Sequence, residues 1–166
     1  MRGALGGLSL ALLNLGELDE ALTVSTEAAD LMDRAGDAYN ASYSRLGIGQ
    51  IKLRRGDPAG ARSDFLDVLG RFRSAGSNLG IALALDFIAI ISLQGGEPER
   101  AARLGAFSDR LRRETGGGGS TLISNDEPPL DQARRLMDPA AFDRAVAEGE
   151  AFDLDQAVRE ATDGSA

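Results

Sequence analysis

Long runs in which Ala, Leu and Ile are interspersed with polar and charged residues, separated by short breaks at glycine, predict six helices in the first two thirds of the chain. They fall at 2–15, 18–35, 38–55, 58–75, 78–94 and 98–114. The most apolar run, Leu79 to Leu93, carries Asp86 at its centre. A membrane span needs about 20 apolar residues, so this shorter run predicts a buried helix instead. The breaks between helices carry stop and start signals. Gly16, Gly56 and Gly95-Gly96 suit the left-handed conformation that closes a helix, Asp57 suits an N-cap with Pro58 at the first helical position, and Pro98 takes the same place in the third unit.

The breaks also repeat. Gly16-Glu17-Leu18-Asp19-Glu20-Ala21, Gly56-Asp57-Pro58-Ala59-Gly60-Ala61 and Gly96-Glu97-Pro98-Glu99-Arg100-Ala101 lie forty residues apart. Ala35-Gly36-Asp37 recurs as Ala75-Gly76-Ser77, with Thr115-Gly116 in the third place. A fixed period of this size means stacked helical units. Ala21, Ala61 and Ala101 share one position, where a small side chain lets the two helices of a unit approach closely. The expected organisation is a helical-repeat array over 1–115, with units 1–36, 37–76 and 77–115, then a flexible Gly/Pro-rich loop at 116–129 and C-terminal capping helices over 130–166. In the tail, Leu130 to Met137 starts a short helix, Asp138-Pro139 opens a second to Glu148, and Asp153 caps a third over Leu154 to Ala161. Phe142, Val146, Phe152, Leu154 and Val158 are expected to pack this tail over the third unit. The run Gly116-Gly117-Gly118-Gly119-Ser120 reads as a linker, since a phosphate cradle would need a following Lys-Ser/Thr.

Composition narrows the class. The 166 residues suffice for one compact domain, and aromatics are scarce, with no Trp, two Tyr and six Phe, so packing rests on Ala, Leu and Ile. The net charge of −8 and a single lysine, Lys52, argue against direct nucleic-acid contact. No secretory signal is seen at Met1, and a cytoplasmic location is expected.

The order of Ile48-Gly49, turn Gly56, Ala61 and Phe65 resembles the tetratricopeptide repeat. Units one and three depart from it, with Leu8-Ser9 and Ile88-Ala89 at the first pair and Ser25 and Gly105 in place of Phe65, and the period exceeds the usual 34. Longer helices of this kind, with the phrases Glu99-Arg100-Ala101-Ala102-Arg103-Leu104-Gly105-Ala106 and Ala147-Glu148-Gly149-Glu150-Ala151-Phe152-Asp153-Leu154-Asp155-Gln156-Ala157-Val158, are similar to the C-terminal helical domain of large actinobacterial ATP-binding regulators of the LuxR type. The resemblance covers most of the chain. It implies an all-α tetratricopeptide-like solenoid serving as sensor or scaffold in a transcriptional regulator. The nucleotide-binding module and helix-turn-helix reader of such regulators are not found in this sequence. Because the first helix begins almost at Met1 with no cap before it, the expectation is a fragment of a longer regulator or a chain that dimerises there.

Candidate chemistry is sparse. Without histidine or cysteine, the usual general base, thiolate nucleophile and transition-metal ligands are missing, so no catalytic residue, metal or cofactor is expected. The pairs Asp30/Asp33 and Asp153/Asp155 read as solvated or dipole-complementing carboxylates, and Arg110, Arg112, Arg113 and Arg134-Arg135 as surface charges near helix ends. The resemblance puts a partner-binding groove on the first helices of units two and three, at Tyr43, Leu46, Gln50, Leu53 and Arg54 and at Leu83, Asp86, Ile90, Leu93 and Gln94. Such a surface suits an extended or helical peptide of a protein partner. Alternatives are that Leu46, Leu83, Ile90 and Leu93 are core, and that Asp86 pairs with Arg45. A small-molecule effector pocket and a homodimerisation module are the competing functions.

Overall fold

The computed structural model describes residues 2–116 and 127–163, with side chains from Gly7 onward. Among the described residues the chain is all-helical. The helices are α1 (Arg2–Leu15), α2 (Leu18–Arg34), α3 (Ala38–Arg54), α4 (Pro58–Ser74), α5 (Asn78–Gln94), α6 (Pro98–Glu114), α7 (Pro129–Leu136), α8 (Pro139–Ala151) and α9 (Leu154–Thr162). The first six match the expected spans to within one residue, while α7 begins at Pro129 and α8 runs on past Glu148 to Ala151. The glycine run at 117–120 lies outside the described residues. No described helix is long and apolar enough to cross a membrane. The chain divides into two compact units, Met1–Gly76 and Ser77–Ala166, at the boundary between the second and third sequence repeats.

The turns explain the periodicity. Gly16, Gly36, Gly56, Gly76, Gly96 and Gly116 all have positive φ, between 66° and 83°, and they stand at every twentieth residue. The forty-residue sequence period therefore contains two equal structural steps. At Gly36 the N–H of Asp37 donates to the Met32 carbonyl at 2.9 Å and the N–H of Gly36 to the Asp33 carbonyl at 3.0 Å. This is the Schellman arrangement, which satisfies carbonyls that a helix end would leave unpaired. The same two bonds recur around Gly16, Gly56 and Gly96. The residue after the glycine then starts the next helix. The Asp37 carboxylate accepts from the Asn40 N–H at 3.3 Å, Asp57 from Gly60 at 2.8 Å and the Ser77 hydroxyl from Gly80 at 3.2 Å. Glu97 makes no such side-chain cap, and Pro98 alone marks that start.

In the first unit α1 to α4 pack consecutively, each folding back on its predecessor. Leu12 and Leu13 of α1, Ala21 of α2 and Ile51 of α3 form one buried cluster, flanked by Leu10, Leu18, Leu22 and Val24. In the second unit α5 packs on α6, and α6 is covered by α7, α8 and α9. Gly80 to Ala89 are buried without a break, as expected of a helix apolar on all sides. Here Ala102, Ala133, Phe142 and Ala145 form the cluster that joins the tail to α6, with Leu93, Leu130, Met137 and Val146 around it.

One pair of positions shows how the repeats differ while keeping their spacing. In α3 and α4 Gly49 faces Phe65, and a Cβ on Gly49 would lie 2.6 Å from the Phe65 ring. Forty residues earlier the pair is Ser9 and Ser25, whose hydroxyls hydrogen-bond. Forty residues later it is Ala89 and Gly105, and Leu130 of α7 lies over Gly105, 3.3 Å from where a Cβ would be. The bulk that Phe65 supplies in the first unit thus comes from the tail in the second.

The same substitution should have opposite signs at two glycines. Phe65 is fully buried and cannot yield, so Gly49→Ala should lower stability by about 1–2 kcal/mol, the overpacking cost less the helix-propensity gain. Gly70, exposed in α4 with nothing near its missing Cβ, should gain about 0.5–1 kcal/mol on Gly70→Ala. Urea titration followed by helix ellipticity checks both; equal shifts would contradict the packing described for Phe65.

Candidate functional site

The expected groove residues separate on burial. Leu46, Gln50, Leu83 and Asp86 are buried, Tyr43 and Ile90 are partly buried, and Arg54 and Gln94 are exposed. Leu46 and Leu83 are core side chains. Leu93, also weighed for the groove, packs partly buried beside the α6–tail cluster. Gln50 is 2% exposed, and its amide nitrogen has no hydrogen-bond partner among the described residues. Arg54 reaches back to α1, donating to the Leu13 carbonyl at 3.1 Å. Tyr43 and Arg54 belong to the first unit, and Ile90 and Gln94 to the second.

Asp86 is 6% exposed and fully engaged inside the second unit. Arg112 Nη1 donates to its Oδ2, and the Ser108 hydroxyl lies 2.7 Å from its Oδ1. Ser108 Oγ is also 2.9 Å from the Ala82 carbonyl oxygen and accepts from Arg112 Nη1 at 3.0 Å. With one proton, the hydroxyl serves one acceptor at a time. Arg112 is itself buried, and its Nη2 donates to Asp109. The pairing of Asp86 with Arg45 does not form: Arg45 lies in the first unit and binds Asp33 at 2.5 Å. Nor is Arg112 a surface charge, because its guanidinium is turned into the α5–α6 contact.

Burial pushes the Asp86 carboxyl up from 3.8 to about 6, against the opposing pull of Arg112 and of the Ser108 hydrogen bond. For Arg112, burial works against the charge but Asp86 and Asp109 outweigh it, so its pKa is raised. The cluster is saturated with internal partners and closed to solvent, and its work is to fix α5 against α6.

The other expected pairs have local duties. Asp33 holds Arg45, and Asp153 caps α9 in a capping box with Gln156. Among the described residues no three carboxylates, histidines or cysteines are grouped to hold a metal ion.

A shallow, open cleft of about 660 Å³ lies in the first unit between the start of α3 and the end of α4. Ala38, Tyr39, Ser42, Gly70, Ser74 and the pair Asp67–Arg71, 2.7 Å apart, line it. Tyr39, Tyr43 and Phe72 form an edge-to-face aromatic group beside it, with centroids 4.9 to 6.4 Å apart. The two tyrosine hydroxyls are 3.2 Å apart. Tyr39 is 46% exposed. Of this group, sequence reasoning found Tyr43 alone; Tyr39 is a helical turn before it on the same face, which was a readable signal.

No family model, curated protein or solved structure matches the chain.

The Asp86 cluster generates two predictions. Asp86→Ala leaves the Arg112 charge buried and should cost about 3 kcal/mol, whereas the double change Asp86→Leu with Arg112→Leu should cost far less; additive losses in urea unfolding would deny the pairing. The folded pKa of Asp86 stands above its ordinary value, so the fold binds this proton more tightly than the unfolded chain does. The stabilisation is complete below about pH 4 and is lost as pH rises through about 6, a change on the order of 3 kcal/mol. Asp86→Asn should abolish that part of the pH dependence of unfolding.

Proposed function

We propose that the chain is a non-catalytic interaction domain that binds a peptide or protein segment, with the described cleft of the first unit as its contact surface. The observation that carries this reading is the exposed Tyr39 lining the cleft, backed by the partly buried Tyr43 and the buried Phe72 and next to the Asp67–Arg71 pair. Rigid aromatic side chains with a polar tip bury much area at little entropic cost, which suits them to anchoring a partner chain. An open, shallow cleft suits a polypeptide better than a small metabolite, which needs a pocket enclosing most of its surface.

In this reading the equal helical steps are a tetratricopeptide-like solenoid, and α7 to α9 are its C-terminal cap. The resemblance to large ATP-binding regulators of the LuxR type extends the proposal to a sensor or scaffold role in a transcriptional regulator in the cytoplasm, without direct contact to nucleic acid. Binding at the array would there bias distant modules.

The test is a peptide array probed with the intact chain, followed by titration of the hits. Tyr39→Ala should weaken binding by about tenfold, the usual loss for an aromatic anchor, while helicity and melting temperature stay unchanged. Hits whose affinity is indifferent to both Tyr39→Ala and Arg71→Ala would move the contact surface away from this cleft.

A further inference from the structure

Gly7, Leu8, Ala11 and Leu15 of α1 stand forty residues before Gly47, Ile48, Ile51 and Arg55, and the two sets differ in what covers them. In the later set this is the side of α3 that meets α2. A Cβ on Gly47 would lie 3.9 Å from the Ser25 hydroxyl, Ile48 is partly buried, Ile51 is fully buried, and Arg55 reaches Asp19 at 3.1 Å. In α5 the residues at the places of Gly7 and Leu8 are Phe87 and Ile88, both buried. In α1 the same positions are open. Nothing lies within 4 Å of a Cβ on Gly7, Leu8 is 47% exposed, Ala11 is exposed and Leu15 is 76% exposed.

This open side is also uncharged. The exposed described residues of α1 are Gly7, Leu8, Ala11, Asn14 and Leu15, and their spacing puts them on one face. Its inner face, with Leu12 and Leu13, lies in the core cluster of the first unit. A helix apolar on both sides is one that is covered on both sides. By contrast α2 exposes Asp19, Glu20, Thr23, Thr26, Glu27 and Asp30, the composition of a face kept in water.

An acidic helix like α2 does not fit the open face. It holds α3 through Asp33 to Arg45 and Asp19 to Arg55. At the place of Arg55 α1 has Leu15, and the sequence has Leu5 at the place of Arg45. A carboxylate brought to either would lose water without gaining a cation. The occupant must therefore present an uncharged apolar face, and the chain itself carries one on α1. At a net charge of −8, two copies repel over most of their surface. Along α1, whose only charged residue is Arg2, they meet without opposing carboxylates.

We propose that α1 is a self-association surface on which a second copy of this chain docks antiparallel through the same face. A two-fold axis beside Ala11 sets Leu8 of one copy against Leu15 of the other, and brings the two Ala11 methyls together, small enough for the helices to approach closely. A stable interface buries about 800 Å² per partner. One face of a 14-residue helix offers less, so the dimer forms at micromolar concentration or above and is not obligate. The contact uses a different helix from the cleft on α3 and α4, and its failure leaves the role of that cleft untouched.

Sedimentation equilibrium of the intact chain from micromolar to millimolar concentration tests this. The mass should rise from 17.4 kDa towards twice that value. Ala11→Glu sets two carboxylates against each other and should weaken the dimer at least about tenfold, with ellipticity and melting temperature unchanged; Leu8→Glu should also weaken it. Because the chain has no cysteine, Ala11→Cys introduces a single thiol, which on mild oxidation should link two copies, while Thr26→Cys on the exposed side of α2 should not. Should a charged variant lose helicity, the cysteine pair decides. A mass that stays at 17.4 kDa to millimolar concentration overturns the proposal. So does a dimer indifferent to both charge changes, or linkage through Thr26→Cys as ready as through Ala11→Cys.

Discussion

Everything in this fold depends on a turn that does two jobs at once. A left-handed glycine closes one helix, and the residue after it completes the closing hydrogen bonds at Glu17, Asp37, Asp57 and Glu97 and caps the next helix at Asp37, Asp57 and Ser77. With two residues between α1 and α2 and three between α2 and α3, α3 and α4, and α5 and α6, there is no slack within either unit in which register can drift. The helices α2 to α6 each have 17 residues, so the fourth residue after each turn's capping position always falls inward, and Ala21, Ala41, Ala61, Ile81 and Ala101 are all buried there. One added residue in any of these helices would rotate the next turn about the helix axis by about 100°. Alanine at all of these positions but Ile81 suits short turns, since a connection of two or three residues brings neighbouring helices close.

Equal steps do not make equal units. The first unit fills its Gly49 site with Phe65 and presents tyrosines at its surface, whereas the second has Gly105 at the matching place and receives Leu130 from α7. The second unit also encloses a charged cluster. Besides the large side chains buried on α5 and α6, among them Ile81, Leu85, Ile88, Leu104 and Phe107, directional contacts fix α6: Asp86, Ser108 and Arg112 on the α5 side and carboxylates and carbonyls on the tail side. Those contacts set position and orientation more than they add stability, because charges taken out of water give back much of their attraction.

Helices and turns were legible because their signals are local. Glycine, Asp-Pro and the Ala positions act within one turn of chain, and the helix ends they mark are found within a residue or so, except where α8 continues past Glu148 to its cap at Phe152. There Phe152 turns to extended backbone just before the Asp153 cap of α9, and Arg110 from another helix donates to its carbonyl. Asp86 shows the limit of local signals. That a carboxylate in so apolar a run needs a partner was evident, but counting forty residues back led to Arg45 in the wrong unit. A fold-back count about the turn leads to the right one: Ser108 is twelve residues after Gly96 and Asp86 ten before it, the same offset of two that relates Phe65 and Gly49 about Gly56. Tyr39 and Phe72 were missed for another reason, since the resemblance drew attention to a groove defined by family and away from the aromatic residues beside Tyr43.

The distribution of arginine resolves what looks contradictory in an acidic chain. Against 26 acidic residues there are 18 basic ones, and five of these, Arg100, Arg103, Arg110, Arg112 and Arg113, stand on α6 alone. Left exposed, they would make a basic stripe and repel one another along the helix. Each instead meets an acceptor: Arg112 turns inward to Asp86, and the other four turn outward to the tail. Because arginine presents several donors in a fixed plane, it binds carbonyls and carboxylates with orientation as well as charge, which lysine does not. A chain with one lysine and this cluster of arginines is using its cations as fasteners, and α6 is the helix on which the second unit is assembled.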